Sequence, residues 1–410
     1  MSFRCRFCDT ALIHSFVDLG TSPLANSYLN KEDLNKMEPF YPLHVYVCSK
    51  CFLVQLPEAQ SPEAIFGEYA YFSSYSDTWL KHARDYTEMM IQRFGFDSKS
   101  HVVELASNDG YLLQYFKQKG VPVLGIEPAK NVARVAQEAG IPTLIKFFGQ
   151  ELAKELVAEG KKADLIVGNN VLAHVPTLNN FVQGMKTVLN PQGVITMEFP
   201  HLMRLIEENQ FDTIYHEHFS YFSFTTVEKV FAYHRLRLFD VDELPTHGGS
   251  LRIYARHEED ATKPVTPKVE ELRKREEDKG YGDLALYRSF GEKVMETKRN
   301  ILEFLIQAKR EGKSIVGYGA PAKGNTLLNY CGIGTDFIDY TVDRSPHKQE
   351  HFLPGTRIPI FHPDKIRETR PDFLLILPWN IKEEIMQQMA YVRDWGCQFI
   401  IPIPEVKVYE

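Results

Sequence analysis

The densest group of chemically active side chains lies in the run FDTIYHEHFSY, from Phe211 to Tyr221. Two imidazoles, a carboxylate and two phenols fall within the seven positions from Tyr215 to Tyr221. Histidine exchanges protons near neutral pH, an adjacent carboxylate can fix its tautomer, and a tyrosine hydroxyl can donate to a developing oxyanion. The run therefore favours acid–base chemistry. A His-x-His metal site and a satisfied hydrogen-bond network are the two alternatives.

A second informative stretch is the polar turn ASNDG, from Ala106 to Gly110, which follows the apolar run Val102–Leu105. A pyrophosphate would need the three glycines of GxGxxG, but this turn has one glycine and an acid, Asp109. A cationic, phosphate-free nucleoside such as S-adenosylmethionine (SAM) suits the turn better. Glu127 ends the next apolar run, where it could accept hydrogen bonds from both ribose hydroxyls. An ordinary βαβ unit with a polar turn is the alternative.

Four of the six cysteines form two CxxC pairs, Cys5–Cys8 and Cys48–Cys51. Each CxxC turn brings two sulfurs to about 3.5–4 Å, and two such turns complete a closed tetrahedral Zn²⁺ site. We therefore expect a structural zinc ion, with the 39 residues between the pairs looped out. Two redox dithiols are the alternative. Cys331 and Cys397 are expected to be buried thiols rather than a disulfide.

These side chains need a scaffold, and the hydrophobic pattern predicts a doubly wound α/β sheet. We expect a helix at Thr78–Phe96, parallel strands at Val102–Leu105, Val121–Ile126, Pro142–Ile145, Ala163–Gly168 and Gly193–Phe199, and a terminal antiparallel pair at Leu236–Asp242 and Ser250–Arg256. Because ligands bind at the carboxyl ends of such strands, SAM is predicted to contact residues there. They are Glu104, Ala106, Asn108, Gly110, Glu127, Pro128, Phe148, Asn169 and Asn170. For Phe148, core packing is an equal alternative.

A second strand–turn–helix begins at Ser314, in the run SIVGYGAPAKG. Its small residues and the counter-charge of Lys323 suit phosphates, although the run is not a Walker A motif. Further strands are expected at Phe337–Val342, Arg357–Ile360, Phe373–Leu377 and Gln398–Pro402, which predicts a small second Rossmann-like sheet. A vestigial fold without a ligand is the alternative. Before it, an amphipathic pattern that begins within 257–280 and continues to Arg310 predicts one long bridging helix.

Composition narrows the classes of protein. The chain has 410 residues, enough for two or three domains, and a net charge of −7 with mixed signs, which argues against a nucleic-acid binder with a basic face. It has no run of about 18 apolar residues that could span a membrane, and its start lacks the apolar core of a signal peptide. A cytoplasmic enzyme, as a monomer or homodimer, is the expectation.

Five motifs in order carry a resemblance to a family. They are ELASNDG, GIEP, NNVLAHVP, FDTIYHEHFSYFS and LPTHGGSLR. Together they resemble the bacterial nucleotide-sugar C-methyltransferases, which add branch methyl groups in deoxysugar pathways. The two-CxxC segment resembles the zinc domain of that family, and the C-terminal third matches too. The resemblance implies a zinc domain at 1–70, a class I SAM methyltransferase domain of Rossmann-like fold at 71–260, and a Rossmann-like substrate-binding domain at 261–410.

The resemblance also implies a reaction. A nucleoside-diphosphate 4-keto-deoxysugar, held between the middle and C-terminal domains, loses its C3 proton to give an enolate that takes the methyl group of SAM. His218 is implied as the base and Glu217 as its neighbour that orients or polarises. The enolate oxygen or the sugar would be met by Tyr215, Tyr71 and His174. His216 stands where some members have an acid, so its role is open.

Contacts to the substrate are implied for two glycine-containing stretches. They comprise His247, Gly248, Gly249, Gly319, Ala320 and Lys323. For His247–Gly249 a tight hairpin turn is the simpler explanation. Two other classes of protein remain: a sugar-nucleotide oxidoreductase or epimerase that binds NAD at the second turn, with Asp343 as the nearest acid, and a non-catalytic sugar-nucleotide binding protein.

Overall fold

The computed structural model describes residues 3–67 and 72–410; Tyr71 and the preceding residues 68–70 lie outside the described residues. The strands are β1 (His14–Ser22), β2 (Tyr41–Val47), β3 (Val54–Gln55), β4 (Val102–Leu105), β5 (Val123–Ile126), β6 (Thr143–Leu144), β7 (Ala163–Asn169), β8 (Leu189–Pro200), β9 (Ser220–Tyr221), β10 (Leu236–Leu244), β11 (Ser250–His257), β12 (Ile315–Tyr318), β13 (Thr341–Val342), β14 (Ile360–Phe361), β15 (Phe373–Ile376), β16 (Gln398–Ile401) and β17 (Lys407–Tyr409).

The α-helices are α1 (Pro62–Phe66), α2 (Asp77–Phe94), α3 (Leu113–Gln118), α4 (Lys130–Glu138), α5 (Gln150–Ala158), α6 (Leu178–Val188), α7 (Leu202–Glu207), α8 (Phe224–Tyr233), α9 (Pro267–Asp278), α10 (Leu284–Arg310), α11 (Ala322–Cys331), α12 (Lys365–Thr369) and α13 (Lys382–Gln388). None of these described helices has the length and apolar content needed to cross a bilayer.

The chain divides into two compact units that do not follow sequence order. Unit one contains Met1–Ile13, Cys48–His201 and Phe219–Asp283. Unit two contains His14–Val47, Leu202–His218 and Leu284–Glu410. The FDTIYHEH segment therefore belongs to unit two, together with the C-terminal third and most of the residues between the two cysteine pairs.

Unit one is built on a seven-stranded sheet in the order β10-β11-β8-β7-β4-β5-β6. The five adjacent strands β8, β7, β4, β5 and β6 are parallel to one another. Strand β11 runs antiparallel to β8, and β10 runs antiparallel to β11. All side chains of β4 and β5 are buried, as expected for a parallel sheet covered by helices on both faces. The predicted α/β sheet with a terminal antiparallel pair is confirmed.

Helix α2 shows how local sequence fixes an element of unit one. The Ser76 hydroxyl caps its first turn by accepting the Trp79 N–H at 3.2 Å. Gly95, in the left-handed region at φ 72°, ends it. Between them Ala83, Tyr86 and Met90 recur at helical spacing and are buried in the core against β4. This core supports the strand that carries the polar turn.

Unit two contains a six-stranded sheet in the order β14-β13-β12-β15-β16-β17. The five adjacent strands β14, β13, β12, β15 and β16 are parallel to one another. Strand β17 lies at the edge of the sheet and runs antiparallel to β16. The predicted strands are present but shorter, and β17 was not predicted. The antiparallel pair β1–β2 lies in the same unit, where Phe16 stacks on Phe290 of α10 with ring centroids 4.6 Å apart.

The prediction of one long helix ending at Arg310 is wrong. Helix α9 ends at Asp278 and α10 begins at Leu284. Gly280 takes a φ of 86°, and the N–H of Tyr281 turns back to the carbonyl of Glu276. A left-handed residue at this place terminates a helix. Because of the break, α9 belongs to unit one and α10 to unit two.

Candidate active site

The turn after β4 has a strained backbone. Ala106 and Asn108 have φ of 57° and 49°, a region that residues with a side chain rarely adopt. The N–H groups of Ala106 and Ser107 both point to the carbonyl of Ile126 on β5, at 2.8 and 3.3 Å. Backbone strain of this kind persists where neighbouring contacts hold it, and it concentrates at functional sites.

Glu127 lies at the end of β5, beside this turn. One carboxylate oxygen accepts the N–H of Asn108 at 2.9 Å, and the other accepts the N–H of Ala129 at 2.8 Å. Burial raises the pKa of Glu127 to about 7, against the opposing effect of these two N–H donors. The acid therefore shapes the turn and also titrates in the physiological range.

The acid–base segment of unit two has a defined geometry. Nδ1 of His218 lies 2.8 Å from the carbonyl oxygen of Thr213, which can only accept, so Nδ1 carries the hydrogen. In the neutral ring the lone pair is then on Nε2. The phenol ring of Tyr215 packs against the imidazole, with centroids 4.0 Å apart. His218 and Tyr215 are half-buried. This arrangement suits a general base.

The two residues between them have different surroundings. Glu217 is buried, and its Oε1 accepts the side-chain amide of Asn26 at 2.6 Å. His216 is buried against the ring of Tyr41, and its Nε2 donates to the carbonyl of Pro42 at 3.2 Å. Burial lowers the pKa of His216. His216 is thus a neutral packing residue, whereas Glu217 is a held carboxylate.

The turn after β12 repeats the construction of the first turn. Asp343 directly follows β13, which lies beside β12. One of its oxygens accepts the N–H of Ala320 in the turn, and the other accepts the N–H of Ser345, both at 2.8 Å. Glu127 likewise accepts one N–H from the neighbouring turn and one from two residues ahead. The sequence reasoning expected a strand at Phe337–Val342 and named Asp343 only as the nearest acid, whereas the structure gives this acid the same kind of backbone contacts as Glu127.

Lys323 lies in the first turn of α11, among polar and aromatic side chains. Its amine donates to the side chain of Asn380 at 2.7 Å and lies 4.7 Å from the centre of the Trp379 ring. The indole N–H of Trp379 donates to Asp212 at 2.7 Å. Burial lowers the pKa of Lys323 and raises that of Asp212 to about 6. These contacts, which hold the lysine in place, all come from unit two.

Gly319 and Ala320, which precede Lys323 in this turn, are used by the fold itself. At Gly319, with φ of 90°, an added Cβ would lie 2.6 Å from Pro378. The carbonyl of Ala320 accepts the hydroxyl of Tyr28 and the amine of Lys348, at 2.6 and 2.9 Å. The N–H groups of Gly319 and Ala320 also donate within the fold, to Val342 and Asp343, so a phosphate at this turn would be met by the start of α11 and by Lys323.

The four cysteines come together in unit one. The ligand atoms of Cys5, Cys8, Cys48 and Cys51 all lie within 4.8 Å of one another. The two knuckles match: the N–H after each second cysteine returns to the carbonyl of the first, at 2.9 and 3.0 Å. The sulfur of Cys5 lies 3.5 Å from that of Cys51, and the sulfur of Cys8 lies 3.5 Å from that of Cys48. These distances fit a tetrahedral Zn²⁺ site.

Known proteins match the chain over nearly its whole length. Residues 5–66 match a family model described as "Putative zinc binding domain", residues 79–235 match "Methyltransferase domain", and residues 245–404 match "C-methyltransferase C-terminal domain". "C-methyltransferase NovU" of Streptomyces niveus is 36% identical over 405 residues, which are 99% of this chain and 96% of that protein. The chain belongs to the C-methyltransferase family. It is a SAM-dependent C-methyltransferase with a structural zinc site.

Other matches cover part of the C-methyltransferase. "Ubiquinone biosynthesis O-methyltransferase" of Azorhizobium caulinodans is 24% identical over 119 residues, 26% of this chain and 46% of that protein. Among solved structures, PH0226 from Pyrococcus horikoshii OT3 aligns with a TM-score of 0.37 and 16% identity, over 46% of this chain and 94% of that one. Magnesium protoporphyrin IX methyltransferase from Synechocystis PCC 6803, with bound SAM, aligns with a TM-score of 0.34 and 13% identity. The alignment covers 48% of this chain and 88% of that one.

The polar atoms around the first turn fit a cationic ligand. Buried oxygens of Ser107, Asp109 and Asn170 have no hydrogen-bond partner within the described part of the C-methyltransferase. Glu104 is fully buried, and burial raises its pKa well above the ordinary value, with the charges of Asp109 and Glu127 adding to the effect. A sulfonium or ammonium cation would favour the ionised carboxylates. SAM carries both cations and supplies an electrophilic methyl group.

The other residues predicted at the strand ends have mixed surroundings. The amide of Asn169 donates to the hydroxyl of Tyr111 at 3.2 Å. Asn170 lies 3.0 Å from Nε2 of His247, so two predicted residues 77 positions apart are in contact. The ring of His174 meets Phe66 edge-on, and Phe148 meets Phe181 in the same way. Pro128 is half-buried beside Glu127, and Gly248 and Gly249 follow His247 in a turn with positive φ.

A charged centre at the end of β8 was missed by the sequence reasoning. Glu198 is fully buried and accepts from Nε2 of His82, from Arg252 and from Thr246, at 2.9, 2.9 and 3.0 Å. Burial opposes ionisation, but these donors hold the pKa of Glu198 below its ordinary value. An acid at the end of a buried strand is the signal that could have identified it, as Glu127 was identified.

Metal ligation by the His-x-His run has no support. Within residues 3–67 and 72–410, the four cysteines form the only cluster of three or more metal-ligating side chains. His216 and His218 are each bonded to a backbone carbonyl instead, that of Pro42 and that of Thr213. The acid–base interpretation of this segment is therefore the one carried forward.

Proposed function

We propose that this C-methyltransferase methylates C3 of a nucleoside-diphosphate 4-keto-deoxysugar through an enolate. The observation that carries the proposal is the second acid-tipped turn, in which Asp343 receives its N–H donors as Glu127 does. The same unit holds the Tyr215–His218 segment. A turn that could hold a nucleoside, in the same unit as an acid–base segment, supports a substrate with a nucleotide group and a weakly acidic C–H bond.

The proposed reaction starts with removal of a proton. A ketone at C4 makes the C3 hydrogen acidic, and Nε2 of His218 takes it. The electron pair of the C–H bond becomes the C3–C4 double bond of an enolate, whose charge rests on the C4 oxygen. Tyr215, Tyr71 and His174 are the proposed donors that stabilise this oxygen or position the sugar. Glu217 orients the base beside it.

The second step forms the carbon–carbon bond. The C3 carbon of the enolate attacks the methyl group of SAM, and the electron pair of the broken S–CH₃ bond stays on sulfur, which becomes a neutral thioether. The proton taken by His218 leaves to solvent at the end of the cycle. The residues proposed to hold SAM at the turn after β4 are those predicted from the sequence, Glu127 above all.

The nucleotide end of the substrate is assigned to unit two and to the hairpin turn. Lys323 and the start of α11 are proposed to meet the diphosphate, because a helix N-terminus and an amine both favour anions. Asp343 is proposed to accept hydrogen bonds from the substrate ribose, as Glu127 is proposed to do for the ribose of SAM. His247, Gly248 and Gly249, together with Gly319 and Ala320, complete the proposed substrate-binding set, with the Ala320 backbone acting through the shape of its turn.

One observation favours a second candidate function. Asp343 at the end of β13 is where a Rossmann fold carries the acid that binds the ribose of NAD. NAD binding at this turn, with the redox role of a sugar-nucleotide oxidoreductase or epimerase, is therefore the alternative to a substrate ribose. Calorimetric titration with SAM and with NADH separates the two: a C-methyltransferase without redox activity should bind SAM and not NADH.

The proposal is tested with a panel of TDP- and GDP-linked 4-keto-deoxysugars incubated with the enzyme and SAM. Mass spectrometry should show a product heavier by one methylene group for at least one sugar. In D₂O without SAM, the same sugar should exchange its C3 hydrogen, because the base acts before the methyl donor. Methylation at oxygen, or no C3 exchange with any productive sugar, would refute the enolate route.

The organisation of the whole protein is proposed along the same lines. We propose domain boundaries at 1–70, 71–260 and 261–410, a cytoplasmic location, and a monomeric or homodimeric state. Light scattering of the purified enzyme would settle the last of these.

A further inference from the structure

The residues between the two cysteine pairs include a short segment, Ala25–Tyr28, which hydrogen bonds within and just after the segment fix to the rest of unit two. The carbonyl of Ala25 accepts the side-chain amide of the buried Asn325 at 2.6 Å. The hydroxyl of Tyr28 donates to the carbonyl of Ala320 at 2.6 Å. Immediately after it, Leu29 forms a two-way backbone bridge with Phe352, at 2.9 and 3.0 Å. The segment is therefore fixed at both ends.

Asn26 lies between these anchors, in the turn where the N–H of Ser27 returns to the carbonyl of Leu24 at 3.1 Å. Its Nδ2 is 2.6 Å from Oε1 of Glu217, which is buried. The Asn26 amide is oriented with its Nδ2 toward Glu217, because a carboxylate accepts hydrogen bonds and the atom that faces it must be the donor. A hydrogen bond to a charged group is stronger than one between neutral groups.

We propose that Asn26 is a positioning residue for Glu217, so that the loop of the zinc domain supplies part of the acid–base machinery. The inference rests on the proposed function, in which Glu217 orients the base His218. Glu217 has a flexible side chain with three rotatable bonds, and burial alone does not choose its rotamer. A fixed amide donor from an anchored segment does so, and displacement of a catalytic group by about 1 Å can cost about a hundredfold in rate.

The test compares three variants in the full-length enzyme, with a sugar accepted in the panel above. Asn26→Ala should lower kcat at least tenfold while leaving the dissociation constant of SAM, measured by calorimetry, within twofold of the wild type. Asn26→Asp, which keeps the shape of the side chain, should lower kcat further, because it places a second carboxylate against Glu217. Asn30→Ala is the matched control. It removes an exposed asparagine of the same loop whose side chain bonds Asp33, and kcat should stay within twofold.

A double-mutant comparison separates positioning from a general structural effect. In the Glu217→Ala background, adding Asn26→Ala should change kcat less than twofold, since the amide has lost the group through which it acts. If the two substitutions reduce kcat independently, so that their effects multiply, the inference is overturned. It is also overturned if Asn26→Ala is fully active while Glu217→Ala is impaired. Both results leave the proposed function standing. Full activity of Glu217→Ala would remove the role of Glu217 in the proposed function and that of Asn26 with it.

Discussion

The imidazole of His218 is held by a backbone carbonyl, and this contact decides which nitrogen can act. Because Nδ1 donates to Thr213, the neutral ring presents its lone pair at Nε2. An asparagine at this position could still donate to the carbonyl but could not take a proton. His218→Asn should lower methylation by a factor of about 10² to 10⁴, the usual contribution of a general base.

The binding of SAM provides the contrast for this variant. The affinity for SAM in His218→Asn should stay near the wild-type value, because the proposed SAM residues lie in unit one. His362→Asn, which changes an exposed histidine of unit two, should retain full activity. Wild-type turnover by His218→Asn would remove it as the base.

Glu127 should make the affinity for SAM depend on pH. Its pKa is raised to about 7 from an ordinary 4.5 by burial. The contribution of this group to folding stability is thus fully present below about 4.5 and is lost as the pH rises through 7. If SAM favours the ionised form, its dissociation constant should fall about tenfold between pH 6 and pH 8. Calorimetry across this range measures the effect.

The control for this pH dependence keeps the shape of the side chain. Glu127→Gln removes the charge, so its SAM affinity should be weaker at pH 8 and should vary little between pH 6 and 8. Glu159→Gln, at an exposed glutamate of unit one, should behave as the wild type. A pH profile that survives unchanged in Glu127→Gln would mean that another group titrates.

Single residues were predictable where a local pattern marks them. The CxxC spacing identified all four cysteines, and the acid at the end of an apolar run identified Glu127. The contact between Asn26 and Glu217 joins residues 191 positions apart, and nothing local to either residue signals it. Glu198 shows a different failure: its position at a strand end was visible, but its partners His82 and Arg252 come from distant elements.

Secondary-structure elements were predicted best where they are buried and regular. The strands β4, β5 and β7 consist mostly of apolar residues, so their presence and parallel direction followed from the βαβ pattern. The strand expected at Phe337–Val342 is reduced to the two residues of β13, and Asp343, which the sequence offered only as the nearest acid, directly follows it. Tertiary contacts to β12 and β14 define β13.

The break between α9 and α10 should depend on one glycine. Gly280 has φ of 86°, and an added Cβ would meet nothing within 4 Å, so the only cost of a side chain there is the left-handed backbone. Gly280→Ala should lower the free energy of unfolding by about 1–2 kcal/mol. Gly282→Ala, also in open space but without a positive φ, should cost much less. Chemical denaturation measures both, and equal losses would contradict a backbone origin.

The chain alternates between its two units, and this has consequences for the whole molecule. Residues His14–Val47 belong to unit two, yet both ends of this stretch continue into cysteine pairs of unit one. The zinc site therefore closes a loop that carries Asn26 and Tyr28, the residues bonded to Glu217 and Ala320. A structural metal at this place restrains a segment of the other unit by covalent connection alone.

Removal of zinc should consequently harm catalysis more than SAM binding. Structural zinc contributes folding free energy directly, about 10–16 kcal/mol in isolated zinc-finger peptides, whereas the seven-stranded sheet has its own core. Cys48→Ser should lose the metal, lower the unfolding temperature and reduce kcat at least tenfold, with SAM affinity changed only a few-fold. Cys397→Ser, at a buried thiol outside the cluster, should keep one zinc ion per chain by elemental analysis. If the zinc-free enzyme binds neither SAM nor substrate, the metal supports the whole of unit one. If the zinc-free enzyme keeps full turnover, the loop does not need the metal to hold Asn26.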